Sequence, residues 1–234
     1  MIRAVIFDLD GTLLDRDASL EKFIEDQYER YKQAFAHIHK NTYIDRFIEL
    51  DARGYVWKDK VYQQLVDEFL INAHTWEELL DDYISNFQFH CTPFDKVENT
   101  LMRLSKDNLS LGMITNGFEV FQKNNLKALG IEPFFQSILV SEREGIKKPN
   151  PEIFRRSAEF LQISMKECLF VGDHPENDVK AAKAVGMTTV WKRDSYWNEV
   201  DADFIIDDLG CLPAIVKSIN EKRNSDKDKS RYFN

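Results

Sequence analysis

Asp8 and Asp10 stand two residues apart in the run Asp8-Leu9-Asp10-Gly11-Thr12, at the close of the apolar stretch Ala4–Leu9. Two carboxyls at that spacing can act as a catalytic pair, one attacking and one moving a proton, although alone they more often mark a turn. Three further stretches carry similar potential. Thr115-Asn116-Gly117 ends a second apolar run, Lys147-Lys148-Pro149 follows a third, and Gly172-Asp173, with Asp178 five residues on, closes a fourth. Each piece alone is weak. All four, in order and each at the end of an apolar run, assemble acids, a hydroxyl and a lysine.

The elements between these stretches explain how they could meet. Ala4–Leu9 reads as a buried strand closed by the Asp10-Gly11 turn. From Ser19 to about Phe89 the pattern changes to three- and four-residue steps: Phe23, Ile24, Tyr28, Tyr31 and Phe35; Tyr43, Phe47 and Leu50; Val61, Leu65 and Phe69; Leu79, Tyr83 and Phe87. Those steps predict four amphipathic helices, the last opened by a capping box of Thr75 and Glu78. After Thr92-Pro93 strands and helices alternate. Strands are expected at 109–115, 137–141, 169–171, 188–191 and 204–206, and helices at 118–129, 151–161, 177–185 and 209–219. Repeated strand–helix units give a parallel sheet covered on both faces. The expected fold is therefore α/β, a doubly wound Rossmann-like core (1–15 and 93–234) interrupted by an all-helical, four-helix cap (16–92). In such sheets ligands bind beyond the carboxyl ends of the strands, where all four motifs lie.

With these motifs the sequence resembles the haloacid dehalogenase superfamily, in its phosphatase branch with a helical cap after the first motif. The resemblance rests on Asp8 to Thr12 with Leu13, on Thr115-Asn116, on Lys148-Pro149-Asn150-Pro151 leading to Phe154, and on Gly172-Asp173 through Asp178. It implies that Asp8 is a nucleophile forming an aspartyl-phosphate and also a magnesium ligand. Asp10 would give its backbone carbonyl to the metal and its carboxyl to proton transfer, and Asp173 would complete the ligands. Asp178 would orient Lys148 or a metal-bound water. Thr115, the amide of Asn116 and Lys148 would hold the phosphoryl oxygens. The charges suit this expectation. With Asp10 protonated, Mg2+ and Lys148 offset Asp8, Asp173 and Asp178, whereas without metal the sum is −2 and repels a phosphate dianion. The sequence predicts a magnesium-dependent hydrolase of small-molecule phosphate esters.

Composition narrows the partners. The 234 residues carry a formal net charge of −9, which disfavours nucleic acid and anionic membranes. No apolar run suffices to span a bilayer, no cleaved signal is expected, and Cys91, Cys168 and Cys211 show no paired spacing. A cytoplasmic setting is expected. Two relatives of this chemistry fit the sequence less well. Dehalogenation needs no acid at Asp10, and a phosphoryl-migrating mutase needs an Arg shortly after the cap glycine, where Tyr55-Val56-Trp57 follows Gly54. A phospho-accepting receiver domain, from a different class, has no helical insert. In the cap, the Arg53-Gly54-Tyr55 turn is expected to contact the leaving group, with Arg53 or Lys58 available for an anionic portion. His174 reads as a loop residue, and Trp191, Tyr196 and Trp197 receive no role.

Overall fold

The computed structural model describes residues 1–232, with side chains through 225. The chain divides into two compact units, one of Asp15–Thr92 and one of Met1–Leu14 with the residues from Pro93 onward. Among the described residues no helix is long and apolar enough to cross a membrane.

Strand β1 (Ala4–Phe7) is buried at every position and opens the larger unit. The smaller unit follows, with helices α1 (Arg16–Arg30), α2 (Lys40–Asp51), α3 (Lys58–Glu68) and α4 (Trp76–Asn86). Its core is an aromatic stripe read off the helical periodicity. Phe23, Tyr43, Phe47, Tyr62 and Tyr83 are almost wholly buried. Phe23 meets Tyr83 edge-on at 5.2 Å and Phe47 meets Tyr62 at 5.3 Å. Removing each such ring from water contributes roughly 1.5–3 kcal/mol, so this stripe alone explains why the helices collapse on one another. The capping box at α4 is present: Thr75 Oγ1 accepts from Glu78 N at 3.3 Å, and Glu78 Oε2 accepts from Thr75 N at 3.1 Å.

The larger unit continues with α5 (Val97–Lys106), β2 (Ser110–Thr115), α6 (Glu119–Ala128), β3 (Ser137–Val140), α7 (Ser141–Glu144), α8 (Pro151–Phe160) and β4 (Cys168–Gly172). It closes with α9 (Ala181–Ala184), β5 (Thr188–Lys192), β6 (Phe204–Ile206) and α10 (Leu212–Tyr232). All six strands are parallel in the order β3-β2-β1-β4-β5-β6. That is the doubly wound order, with β1 at its centre and the direction of winding reversing between β1 and β4. Ile6, Ile114, Phe154 and Phe170 pack under the helices of one face.

Several details depart from the sequence reading. Helix α5 is not expected there, although Val97, Leu101 and Leu104 bury one face at helical spacing. The last helix runs on to Tyr232 in place of stopping near Ile219. The helix expected from 177 is divided: Pro175–Lys180 forms a π-helical turn, and only then does α9 begin. Its cause is local, since the amides of Asp178 and Val179 both donate to His174 O, at 3.0 and 3.2 Å. π-turns of this kind recur where a side chain must be re-aimed, and here the turn carries Asp178.

Candidate active site

Asp8 follows β1 directly, and its amide donates to Val171 O of β4 at 2.9 Å, so the chain leaves the sheet at the reversal between those strands. The next residues coil tightly, with the amides of Leu13 and Leu14 both 2.9 Å from Leu9 O. Gly11 sits within this coil at φ +82°, and a Cβ there would lie 2.4 Å from Asp173 Oδ2. Only glycine fits both the left-handed backbone and that approach. The first loop and the end of β4 are thereby pressed together.

Lys148 joins them to the third motif. Its ammonium donates to Asp8 Oδ1 and to Asp178 Oδ1, each at 2.6 Å, and all three residues are buried. Asn116 fixes the lysine backbone: its side-chain amide donates to Lys148 O at 3.0 Å, and its Oδ1 accepts from Lys148 N at 2.9 Å. The Asn116 side chain is thus spent on positioning Lys148. Lys147, the alternative lysine, is exposed. Asp178 is equally committed, since its second oxygen accepts from His174 N at 3.0 Å.

The cluster is short of positive charge. One ligand oxygen from each of Asp8, Asp173 and Asp178 lies within 4.8 Å of the others. Burial, helped by Asp178 and Asp10 and only partly opposed by Lys148, pushes Asp8 up to about 7. Burial and the charges of Asp8 and Asp178 drive Asp173 well above the carboxylate range. Burial works against the ammonium of Lys148, yet Asp178 and Asp8 outweigh it and hold the lysine above its ordinary value. An all-oxygen donor set of crowded carboxyls, Asp8 and Asp178 buried and Asp173 half-buried, fits a hard dication such as magnesium.

Several contributors carry no sequence signal strong enough to find them. Gln122, on α6, donates from Nε2 to Asp10 Oδ2 at 2.6 Å and to Thr115 Oγ1 at 3.0 Å. Trp191 donates its indole N–H to Asp173 O at 2.7 Å, which gives this residue, silent in the sequence, a positioning task. Lys192 donates to Gly11 O at 3.1 Å and covers the Phe94 ring at 3.3 Å. His174 is more than a loop residue. Its Nδ1 accepts from the amides of Glu176 and Asn177, at 3.1 and 3.2 Å, and so caps the π-turn. Its ring lies 5.2 Å from Trp197, which in turn meets Tyr196 at 4.8 Å.

In the helical unit one expectation needs correcting. Lys58 is not available for an anionic ligand, because its side chain is buried and its ammonium pairs with Asp51. Asp51 also takes the Arg16 guanidinium, at 2.8 and 2.6 Å, and the Gly54 amide at 2.8 Å. A carboxylate held away from water needs such partners, and Lys58 is consumed in meeting that need. Arg53 lies at the surface, 4.0 Å from Asp17 Oδ2, and Tyr55 is 62% exposed.

Known proteins resemble the chain along most of its length. The chain is 27% identical to a glyceraldehyde 3-phosphate phosphatase of Pyrococcus furiosus, across 97% of both chains. It is 29% identical to a phosphoglycolate phosphatase of Neisseria gonorrhoeae, again across 97% of both. Among solved structures, a HAD phosphatase from Thermococcus onnurineus superposes with a TM-score of 0.66 at 28% identity, covering 92% of this chain and 98% of that one. Residues 5–192, the first strand through the fifth, match the family of haloacid dehalogenase-like hydrolases, and the protein is an enzyme that belongs to it.

Proposed function

We propose that the protein hydrolyses small-molecule phosphomonoesters through a phosphoryl group carried on Asp8, with magnesium held by Asp8, Asp173 and the backbone carbonyl of Asp10. The observation that carries this reading is the line Asp8–Lys148–Asp178 at the end of the central strand, with Asp10 on the same coil. Two related proteins named as phosphatases of three- and two-carbon phosphates favour small phosphorylated metabolites as substrates.

In the first half-reaction an oxygen of Asp8 attacks phosphorus, the bond to the leaving oxygen breaks, and protonated Asp10 gives that oxygen its proton. In the second, water attacks the phosphoryl group, gives a proton to Asp10, and the Asp8–phosphorus bond breaks to free inorganic phosphate. Two easier steps replace one hard one. Lys148, the Thr115 hydroxyl and the amide of Asn116 hold the phosphoryl oxygens as charge moves between them. Asp178 keeps Lys148 aimed, since both its oxygens already have partners. When bound, magnesium supplies the two positive charges that the carboxyl cluster lacks. The three free thiols suit a reducing, cytoplasmic setting. Within the cap, Arg53 and Tyr55 are the proposed discriminators of the leaving group, now without Lys58. Dehalogenation and phosphoryl migration remain second, the former because it has no use for the acid at Asp10.

Asp8→Asn tests the reading. The fold should survive, turnover of any phosphate ester should vanish, and retention of even about a tenth of the activity would rule out covalent catalysis at this residue.

A further inference from the structure

Gln122 is 3% exposed, so its carboxamide must find protein partners for two N–H groups and one oxygen. Three oxygens surround Nε2: Asp10 Oδ2 at 2.6 Å, Thr115 Oγ1 at 3.0 Å and the backbone oxygen of Asn116 at 3.0 Å. The Asn116 carbonyl can only accept, which fixes this atom as the NH2 end, and Oε1 accepts from Asn125 Nδ2 at 3.3 Å. A Cβ at residue 117 would lie 2.9 Å from Nε2, so Gly117 keeps the slot open.

We propose that Gln122 is a positioning residue for Asp10, holding its carboxyl group beside Thr115 with the transferable proton on the oxygen that faces away from the amide. This rests on the proton-transfer role of Asp10 proposed above. A hydrogen-bond donor selects the carboxyl oxygen with an open lone pair. The N–H of Gln122 on Oδ2 therefore leaves the acidic hydrogen to Oδ1. In the first half-reaction that O–H bond breaks and its hydrogen passes to the leaving oxygen as the phosphorus–oxygen bond opens. The contact from Nε2 to Oδ2 persists as the proton leaves and strengthens as Asp10 becomes a carboxylate, so it acts in the transition state.

The test is the dependence of kcat/KM, which reports steps through departure of the leaving group, on how badly that group needs a proton. Gln122→Met keeps the length and removes the amide. For a simple alkyl phosphate, assayed with magnesium, kcat/KM should fall about 10- to 100-fold, while 2,4-dinitrophenyl phosphate should lose less than about threefold. Gln122→Asn, which withdraws the amide by one methylene, should show the same bias more weakly, and it decides the matter if the Met variant does not fold. Equal losses on both esters, or none on either, would overturn the inference. Asp8→Asn in parallel separates the two levels. If it stays active the covalent reading itself fails, whereas if it is dead and Gln122→Met shows no bias, only the role of Gln122 falls.

Discussion

Gly172→Ala perturbs the site through one methyl group. Gly172 ends β4 opposite Trp191, and a Cβ built there would stand 2.5 Å from Cβ, Cγ and Oδ2 of Asp178. Carbon atoms in contact prefer about 3.5–4.0 Å, so Asp178 or the strand must give way by roughly an ångström. Asp178 is poorly placed to yield. One oxygen holds Lys148 at 2.6 Å, the other holds His174 N at 3.0 Å, and its backbone belongs to the π-turn. A shift of that size breaks or lengthens the bond to Lys148, whose ammonium then rests on Asp8 alone. Overpacking of this kind costs about 1–3 kcal/mol of stability. Misplacing a substrate-holding charge by about 1 Å costs on the order of 10²-fold in rate.

Thermal melting and steady-state kinetics of Gly172→Ala read the two effects separately. The comparison variant is Gly130→Ala. That glycine also ends an element, at φ +69°, and a Cβ there would meet nothing within 4 Å. It should lose about 1–2 kcal/mol through left-handed strain while keeping its activity. A Gly172→Ala enzyme that melts normally and retains more than about half of the wild-type kcat/KM would refute the claim that Asp178 aims Lys148.

Two other outcomes follow from the same charges and from the cap. Asp8 rises to about 7 in the folded protein from an ordinary 3.8, so its contribution to stability is complete below about pH 4 and is lost as pH climbs toward 7. The metal-free enzyme should therefore melt lower at pH 8 than at pH 5, Asp8→Asn should flatten that slope, and magnesium should raise the melting point more at the higher pH; a metal-free profile without slope would show the carboxyls to be less crowded than drawn. Arg53→Ala and Tyr55→Ala should reorder a panel of phosphate esters while leaving a minimal aryl phosphate within about threefold, and an unchanged ranking in both would move discrimination elsewhere in the cap.

The residues at strand ends were legible because the two signals coincide there. Apolar runs announce the strands, Asp8, Thr115 and Asp173 stand where such runs stop, and Lys148 lies beyond the third run, past α7. Gln122 was not legible. It sits in a helix of mixed polarity beside Lys123, Asn124 and Asn125, and only the fold turns it inward to Asp10, 112 residues away in sequence. Trp191 and Lys192 were hidden in another way, since a strand's aromatic and a terminal lysine look like packing and solvent contact until Gly11 and Asp173 are brought to them. Lys58 misled for the converse reason. A lysine after a glycine turn reads as a free cation, yet Asp51, seven residues earlier and buried, has no choice but to claim it. Polar residues whose partners are distant are what a linear reading loses.

The metal requirement proposed above and the raised carboxyl pKa values have one physical cause. Lys148 lies against Asp8 and Asp178 together, so its single charge is divided between two carboxylates, and Asp173 adds a third negative charge to the cluster. Protons can neutralise the remaining deficit, which is why Asp8 and Asp173 hold theirs unusually tightly when nothing else is present. A dication can neutralise it as well, and it competes for the same oxygens. Metal binding must then expel protons and strengthen as pH rises until the carboxyls have ionised. The substrate enforces the choice between the two. On the proposed mechanism a site neutralised by protons would disarm Asp8, which attacks only as a carboxylate, whereas one neutralised by magnesium would keep Asp8 ionised and still admit a phosphate dianion.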